Sequence, residues 1–278
     1  MINYVIAAWS GLRRGKVRPT RTYEAYLKDR TFYLRFHLDR VLKIKKHISH
    51  ITIVAPFNFE AEPKEFSDYL EALPEEIDGV GITVLRRENV GVSYGSYSYA
   101  FEKMGTAWKY YIFQEDDFIP VPEGFDDILV KALRAKNRET GKKKNRMCGC
   151  VCAFLRRDRS YKKTYIVNYR RTPVIGHNLS IAKSSVLSKV AAVNGGTLPY
   201  MFDVYSGLSA DKFSMGFYNA GYRIEDTTRE WDGAFAKGNG EIRLFFHLRK
   251  NPRNPLIVAP IELWYDENKA LRQRWEVQ

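Results

Sequence analysis

Cysteine is scarce: three among 278 residues, all within Cys148-Gly149-Cys150-Val151-Cys152. Strand alternation would put the three on one face, too close together for a disulfide framework. No fourth ligand stands at zinc spacing, so they read as small buried hydrophobes in a reduced compartment. Long apolar runs are missing too, and none approaches the roughly 20 residues of a spanning helix. The opening Met1-Ile2-Asn3-Tyr4-Val5-Ile6 reads as a strand, without a signal peptide's charged start and cleavage site. The expectation is a cytoplasmic protein, in a host cytoplasm if the source is a virus, with peripheral membrane contact as the only membrane option. There is no internal repeat and no proline-rich linker. No Gly-x-Ser-x-Gly elbow or Cys/His catalytic pattern occurs. Gly11-x-x-x-Gly15-Lys16 is one residue short of a phosphate-binding loop, and Val17 follows where Ser or Thr belongs. His47-x-x-His50 has no carboxylate or cysteine partner nearby in the sequence.

What is present points to a globular enzyme-sized domain. Hydrophobic residues make up 45% and aromatics 14%, enough for one substantial core and too much for a disordered chain. The net charge of +13 is segregated. Residues 1–50 carry 12 Lys/Arg against 3 Asp/Glu and residues 131–171 carry 15 against 2, whereas residues 51–130 carry 5 against 16. A basic surface therefore borders an acidic region, and such a field concentrates anionic ligands: sugar nucleotides, nucleic acid or a lipid surface.

Hydrophobic periodicity predicts alternating strands and helices. Strands are expected at Tyr4–Ala8, 50–57, 81–85, 110–113 and 147–155. Helices are expected over 23–47, 63–73, 94–104, 125–135, 182–193 and 209–220, the last stopped by Gly221. Lys136 to Arg146 reads as a basic loop. This alternation predicts an α/β fold with a mostly parallel central sheet flanked by helices, in a single domain.

The strand at 110–113 is apolar throughout, as a strand covered on both faces should be, and Glu115-Asp116-Asp117 follows at its carboxyl end. Ligands of open α/β sheets bind at that edge. Three consecutive carboxylates repel one another unless something positive compensates. A divalent ion bridging two phosphates does so, and it can stabilise a departing nucleoside diphosphate. A solvated acidic turn is the simpler alternative.

Asn89-Val90-Gly91, then a helix, then Tyr111-Ile-Phe-Gln-Glu-Asp-Asp-Phe-Ile-Pro120 resembles the Asn-x-Gly and Asp-x-Asp segments of GT-A glycosyltransferases, closest to the family-2-like inverting enzymes. Gly176 to Leu187 resembles the segment those enzymes place near the acceptor. Asp211-Lys-Phe-Ser-Met-Gly-Phe-Tyr-Asn-Ala-Gly-Tyr-Arg-Ile224 resembles their acceptor-side helix. The likeness spans roughly residues 2 to 230. It departs at Glu115, where the family has Asp, and at Ala210-Asp211, where it has Glu-Asp; no acidic residue follows the second strand.

The resemblance implies a GT-A fold, with a nucleotide-sugar-binding half over about 1–125 and an acceptor-binding half over about 147–278. It implies a UDP-sugar donor and Mn²⁺ or Mg²⁺, with Asp117 and the late His247 as metal ligands. Ala8, Trp9, Arg13, Asn89, Glu115 and Asp116 would hold the nucleotide, Arg13 (or its neighbour Arg14) by bidentate contacts to the diphosphate; acceptor binding or a plain surface position is the alternative for these arginines. Asp211, expected at a helix N-terminus, would be the general base, with Asp203 in reserve. The simpler reading of Asp211 is a helix-terminal charge, and that of His247 a core histidine.

The acceptor stays open between a glycan or glycoconjugate and DNA with hydroxylated bases, whose target base would have to be extruded. A lipid surface is a further option, since basic and aromatic residues interleave over 23–47. A non-catalytic basic nucleic-acid-binding protein is the competitor from another class. It explains the charge but not the acidic strand end, and no nucleic-acid signature is present.

Overall fold

The computed structural model describes residues 1–11, 21–57, 62–120, 123–141, 146–152, 155–156, 174–175, 179–201, 206–226 and 245–247. Arg13, Arg14, Asp203 and the stretch 176–178 lie outside the described residues, as does most of the chain beyond 226.

The element order is β1 (Ile2–Ala7), α1 (Arg21–Lys28), α2 (Phe32–Ile44), β2 (Ile48–Phe57), α3 (Lys64–Glu71), β3 (Glu76–Ile77), β4 (Val80–Glu88), α4 (Val92–Met104), β5 (Tyr110–Glu115) and β6 (Phe118–Pro120). There follow α5 (Phe125–Gly141), β7 (Cys148–Cys152), β8 (Leu155–Arg156), β9 (Val174–Ile175), β10 (Ser180–Lys183), α6 (Ser184–Val193), α7 (Ser206–Asn219), β11 (Arg223–Asp226) and β12 (Phe245–His247). Eight strands form one sheet in the order β11-β7-β10-β5-β1-β2-β4-β3. The run β5-β1-β2-β4 is parallel. β10 is reversed and pairs antiparallel with both β5 and β7.

Two apolar layers sandwich this sheet. Leu34, Leu38, Val41 and Ile44 of α2, Phe66 and Leu70 of α3, and Phe125, Leu129 and Leu133 of α5 cover one face. Tyr94, Tyr97 and Phe101 of α4, Val186, Leu187 and Val190 of α6, and Phe213 and Phe217 of α7 cover the other. Alternation along β1 assigns Tyr4, Ile6 and Ala8 to the first layer and Val5 and Ala7 to the second. The expected mostly parallel α/β architecture is therefore the one observed.

Several boundaries differ from the sequence expectation. The single helix expected over 23–47 is two, because Asp29 turns the chain: its carboxylate accepts from the Thr31 N–H (2.8 Å) and hydroxyl (2.6 Å). The expected loop from Lys136 is helical as far as Gly141. The helix expected from 182 begins at Ser184, because Ser180-Ile181-Ala182-Lys183 forms the reversed strand β10. So short a run is ambiguous by periodicity alone. The cysteines are free and buried as expected, but they do not share one layer. Cys150 and Cys152 pack with α6 and α7, whereas Cys148 packs on the α5 side. The pairing of β11 with β7 shifts register there, and Asn137 of α5 brackets Cys148, accepting from its N–H (3.1 Å) and donating to its carbonyl (3.2 Å).

Among the described residues no helix is long and apolar enough to cross a membrane.

Candidate active site at the carboxyl edge of the sheet

The parallel strands β1, β2, β4 and β5 all end at one edge, and the acidic triplet ends β5 there. Glu115 is the last residue of the strand, beside Ala7 in the parallel register. Alternation with Tyr111 and Phe113 turns its side chain toward the α4 layer. The buried Tyr97 of α4 lies in that layer, where the charges of Glu115 and Asp117 reinforce burial in raising its phenol well above the ordinary value. Asp116 and Asp117 begin the turn beyond the strand and are only 3% and 5% exposed.

Asp116 ties that turn to the end of β1. Its N–H donates to the Ala7 carbonyl (3.1 Å), and its carboxylate accepts from the Trp9 N–H (2.9 Å). The loop after β1 is itself held. Ala8 N–H donates to Val54 O (2.9 Å), and the Tyr26 hydroxyl sits 3.0 Å from the Trp9 carbonyl and 2.9 Å from that of Gly11. A Cβ at Gly11 would meet the Trp9 ring at 2.4 Å, so a larger residue there would have to displace that ring.

Under the turn lies a polar group that sequence reasoning missed. His37 of α2 is fully buried, with Nδ1 3.0 Å from the Asp116 carbonyl and Nε2 2.6 Å from the Tyr4 hydroxyl. That hydroxyl also meets the side-chain amide of Gln114. Burial drives the His37 pKa down from 6.5 to about 4, against the opposing pull of the Asp116 carbonyl and the Asp117 charge. The ring is neutral near pH 7. The signal available in the sequence was the polar residue inside the apolar helix face Leu34-x-x-His37-Leu38, matched by Gln114 inside the apolar run of β5.

His247 is described through its backbone. β12 pairs antiparallel with β6, and His247 stands opposite Phe118, next in sequence to Asp117. The structure thus brings together Ala8, Trp9, Glu115, Asp116, Asp117 and the backbone of residue 247. Asn89 is not with them: β4 is three strands from β5, about 14 Å at the usual strand spacing. Arg87, at the same end of β4, fixes the Asn89 turn instead. Its guanidinium donates to the Val90 carbonyl and to Ser96 Oγ (3.2 Å), and burial lowers its pKa. Gly91 has φ +75°, and a Cβ there would strike the Tyr200 ring at 2.2 Å.

Asp211 is not at a helix N-terminus. α7 begins at Ser206, which puts Asp211 in its second turn and removes the capping role. The helix is fixed by Ser214 Oγ, which accepts from the Ile175 N–H (2.9 Å) and donates to the Ala210 carbonyl (2.7 Å). Tyr94 of α4 donates to the carbonyl of the same Ile175 (2.7 Å). α7 and α4 are thereby joined on the side of the sheet that Glu115 faces.

Among the described residues no three His, Cys, Asp or Glu side chains converge as a metal cage. A pair of carboxylates at a strand end suits a different arrangement, in which a hard cation takes one or two carboxylates and completes its shell from substrate phosphates.

No protein-family profile matches the sequence, and no curated protein matches it at a significant level. Solved structures overlap it loosely. A putative glucose-1-phosphate thymidylyltransferase from Bacillus anthracis, in complex with a sucrose, has a TM-score of 0.41 and 11% identity, covering 82% of this chain and 87% of that one. The 4-diphosphocytidyl-2C-methyl-D-erythritol synthase from Anaerococcus prevotii has a TM-score of 0.44 and 14% identity, covering 81% and 85%. At these values the likeness carries no inference about chemistry.

Proposed function

We propose that the chain is a nucleotide-sugar-dependent transferase, and within that class a metal-dependent glycosyltransferase acting on a hydroxyl of a glycan or glycoconjugate. The observation that carries this reading is the acidic turn at the carboxyl edge of the parallel sheet. Buried Asp116 is fastened to the β1 loop by the Trp9 N–H, and β12 sets residue 247 opposite Phe118, the next residue after Asp117. Ligands of open α/β sheets bind at that edge, and closely spaced carboxylates call for a compensating cation.

In this reading Ala8 and Trp9 line the nucleotide at the end of β1, with Arg13 on its phosphates; Asn89, at the end of β4, stands apart from them. Asp117 and His247 are the side chains that would hold Mn²⁺ or Mg²⁺ with a UDP-sugar. That cation would stabilise charge growing on the departing diphosphate. Asp211, with Asp203 in reserve, removes the acceptor proton as its oxygen attacks the anomeric carbon from the face opposite the leaving group, giving inversion. Asp116 and Glu115 shape the site from the two sides of the strand end.

Thermal-shift measurements with a panel of nucleoside diphosphates and their sugars, with and without Mn²⁺, test the reading. Stabilisation that requires metal supports it; no response to any donor, with tight salt-sensitive DNA binding, sinks it in favour of a nucleic-acid-binding protein. Asp117→Ala should abolish metal-dependent donor binding while the fold persists, and unchanged donor affinity would remove the assigned site. Asp211→Asn should bind donor yet lose transfer; transfer at the normal rate would place the base elsewhere, with Asp203 tested next.

A further inference from the structure

Tyr4, His37 and Gln114 form a chain of polar side chains inside a layer made chiefly of Leu, Ile, Val, Phe and Ala. Replacing such a set by apolar residues of similar shape is often neutral or stabilising, so stability alone does not explain it. What the chain provides is a donor beneath the acidic turn, and its proton inventory says which one. The carbonyl of Asp116 only accepts, so Nδ1 of His37, 3.0 Å away, must carry a proton. A neutral ring then leaves Nε2 as an acceptor, and the Tyr4 hydroxyl, 2.6 Å from it, must donate its single proton there. Tyr4 Oη is left to accept, which requires Gln114 to turn its NH₂ toward it. The two ends of an amide exchange by rotation, and the Gln114 nitrogen has no hydrogen-bond partner among the described residues. With the amide turned, one N–H of Gln114 donates to Tyr4, Tyr4 donates to His37, and His37 donates to the Asp116 carbonyl.

We propose that His37 is a positioning residue, held by Tyr4 and Gln114 as the neutral Nδ1–H tautomer, whose bond to the Asp116 carbonyl fixes the peptide that aims Asp117. This rests on the reading of the acidic turn as the metal and nucleotide anchor. Asp116 is gripped at its N–H by Ala7, at its carboxylate by Trp9 and at its carbonyl by His37. Its carbonyl belongs to the same rigid peptide plane as the N–H of Asp117, so a rotation there re-aims Asp117. Positioning partners behind a metal ligand commonly govern affinity by 10- to 100-fold.

Two measurements test this. In full-length protein labelled with ¹⁵N in the histidine rings, long-range ¹H–¹⁵N spectra at pH 7.5 should report His37 with its proton on Nδ1. A proton on Nε2 overturns the proposal. UDP affinity in the presence of Mn²⁺ is then compared among wild type, His37→Asn, His37→Gln and His37→Leu, each first checked for folding. Asn places an amide near Nδ1 and should bind UDP close to wild type. Gln places it near Nε2, and Leu has none; both should weaken metal-dependent binding about tenfold or more. Tyr4→Phe, which keeps the ring but removes the hydroxyl, should weaken binding in the same direction. Equal affinity across the folded variants refutes the positioning role. If wild type itself ignores UDP and Mn²⁺, the nucleotide reading fails, and the ring-proton measurement still decides the tautomer independently.

Discussion

Lowering the pH from 7 toward 4 should cost this protein stability through His37 in particular. The ring titrates near 6.5 when the chain is unfolded and near 4 when it is buried against Tyr4 and the Asp116 carbonyl. Between those values the unfolded chain binds a proton that the folded chain refuses, so stability falls as pH falls. The sign follows from a depressed folded pKa. The contribution is whole above 6.5 and disappears as pH drops through about 4. At about 1.4 kcal/mol per pH unit, the gap amounts to about 3 kcal/mol, a large fraction of the 5–15 kcal/mol that typically holds a domain together. The assay is urea unfolding of wild type and His37→Asn at half-unit steps from pH 7.5 to 4.5. His50, whose pKa burial also lowers, titrates with the same sign in both proteins and cancels. Whatever the variant's starting stability, wild type should lose ground on it by about 1.4 kcal/mol per pH unit below 6. Parallel curves over the whole range would refute the reasoning, for they would mean that the buried ring gains its proton as easily as the free one.

Asp126 is fully buried and accepts from the N–H groups of Lys46 (3.0 Å) and Ile48 (2.9 Å) and also of His47, joining the start of α5 to the start of β2. Asp126→Ala strands these donors and should cost about 3–5 kcal/mol in urea unfolding; a loss under 1 kcal/mol would show that water replaces the carboxylate at no cost. Val92, a β-branched residue at φ +47° where α4 begins, is strained, so Val92→Gly should gain roughly 1 kcal/mol in Tm-derived stability. Its neighbour should respond in the opposite direction. Gly91→Ala meets both φ +75° and the Tyr200 ring, and should lose roughly 2 kcal/mol or more.

The local pattern of the sequence is enough to place the acidic triplet. Tyr110 to Phe113 is apolar at every position, which predicts a strand covered on both faces. The polar run beginning at Gln114 then predicts where that strand ends, and the structure carries it to Glu115. The α/β alternation and the buried state of the cysteines are legible for the same reason, since periodicity and composition are properties of neighbours in sequence. Tertiary structure alone decided what surrounds the triplet. The partners of Asp116 and Tyr4 lie 107 and 110 residues away in Trp9 and Gln114, and His37 lies 33 residues from Tyr4. No local preference links residues at such separations. They meet because β1 is inserted next to β5 and α2 packs on the face of the sheet that Tyr4 shares. The reversal of β10 and the second-turn position of Asp211 were likewise hidden. Four residues with only Ile181 and Ala182 apolar fit helix and strand alike, and a helix start depends on which backbone donors find partners elsewhere. Sequence thus determined that carboxylates stand at a strand end, and the fold determined which way they point, because direction at that edge is set by hydrogen bonds from distant parts of the chain.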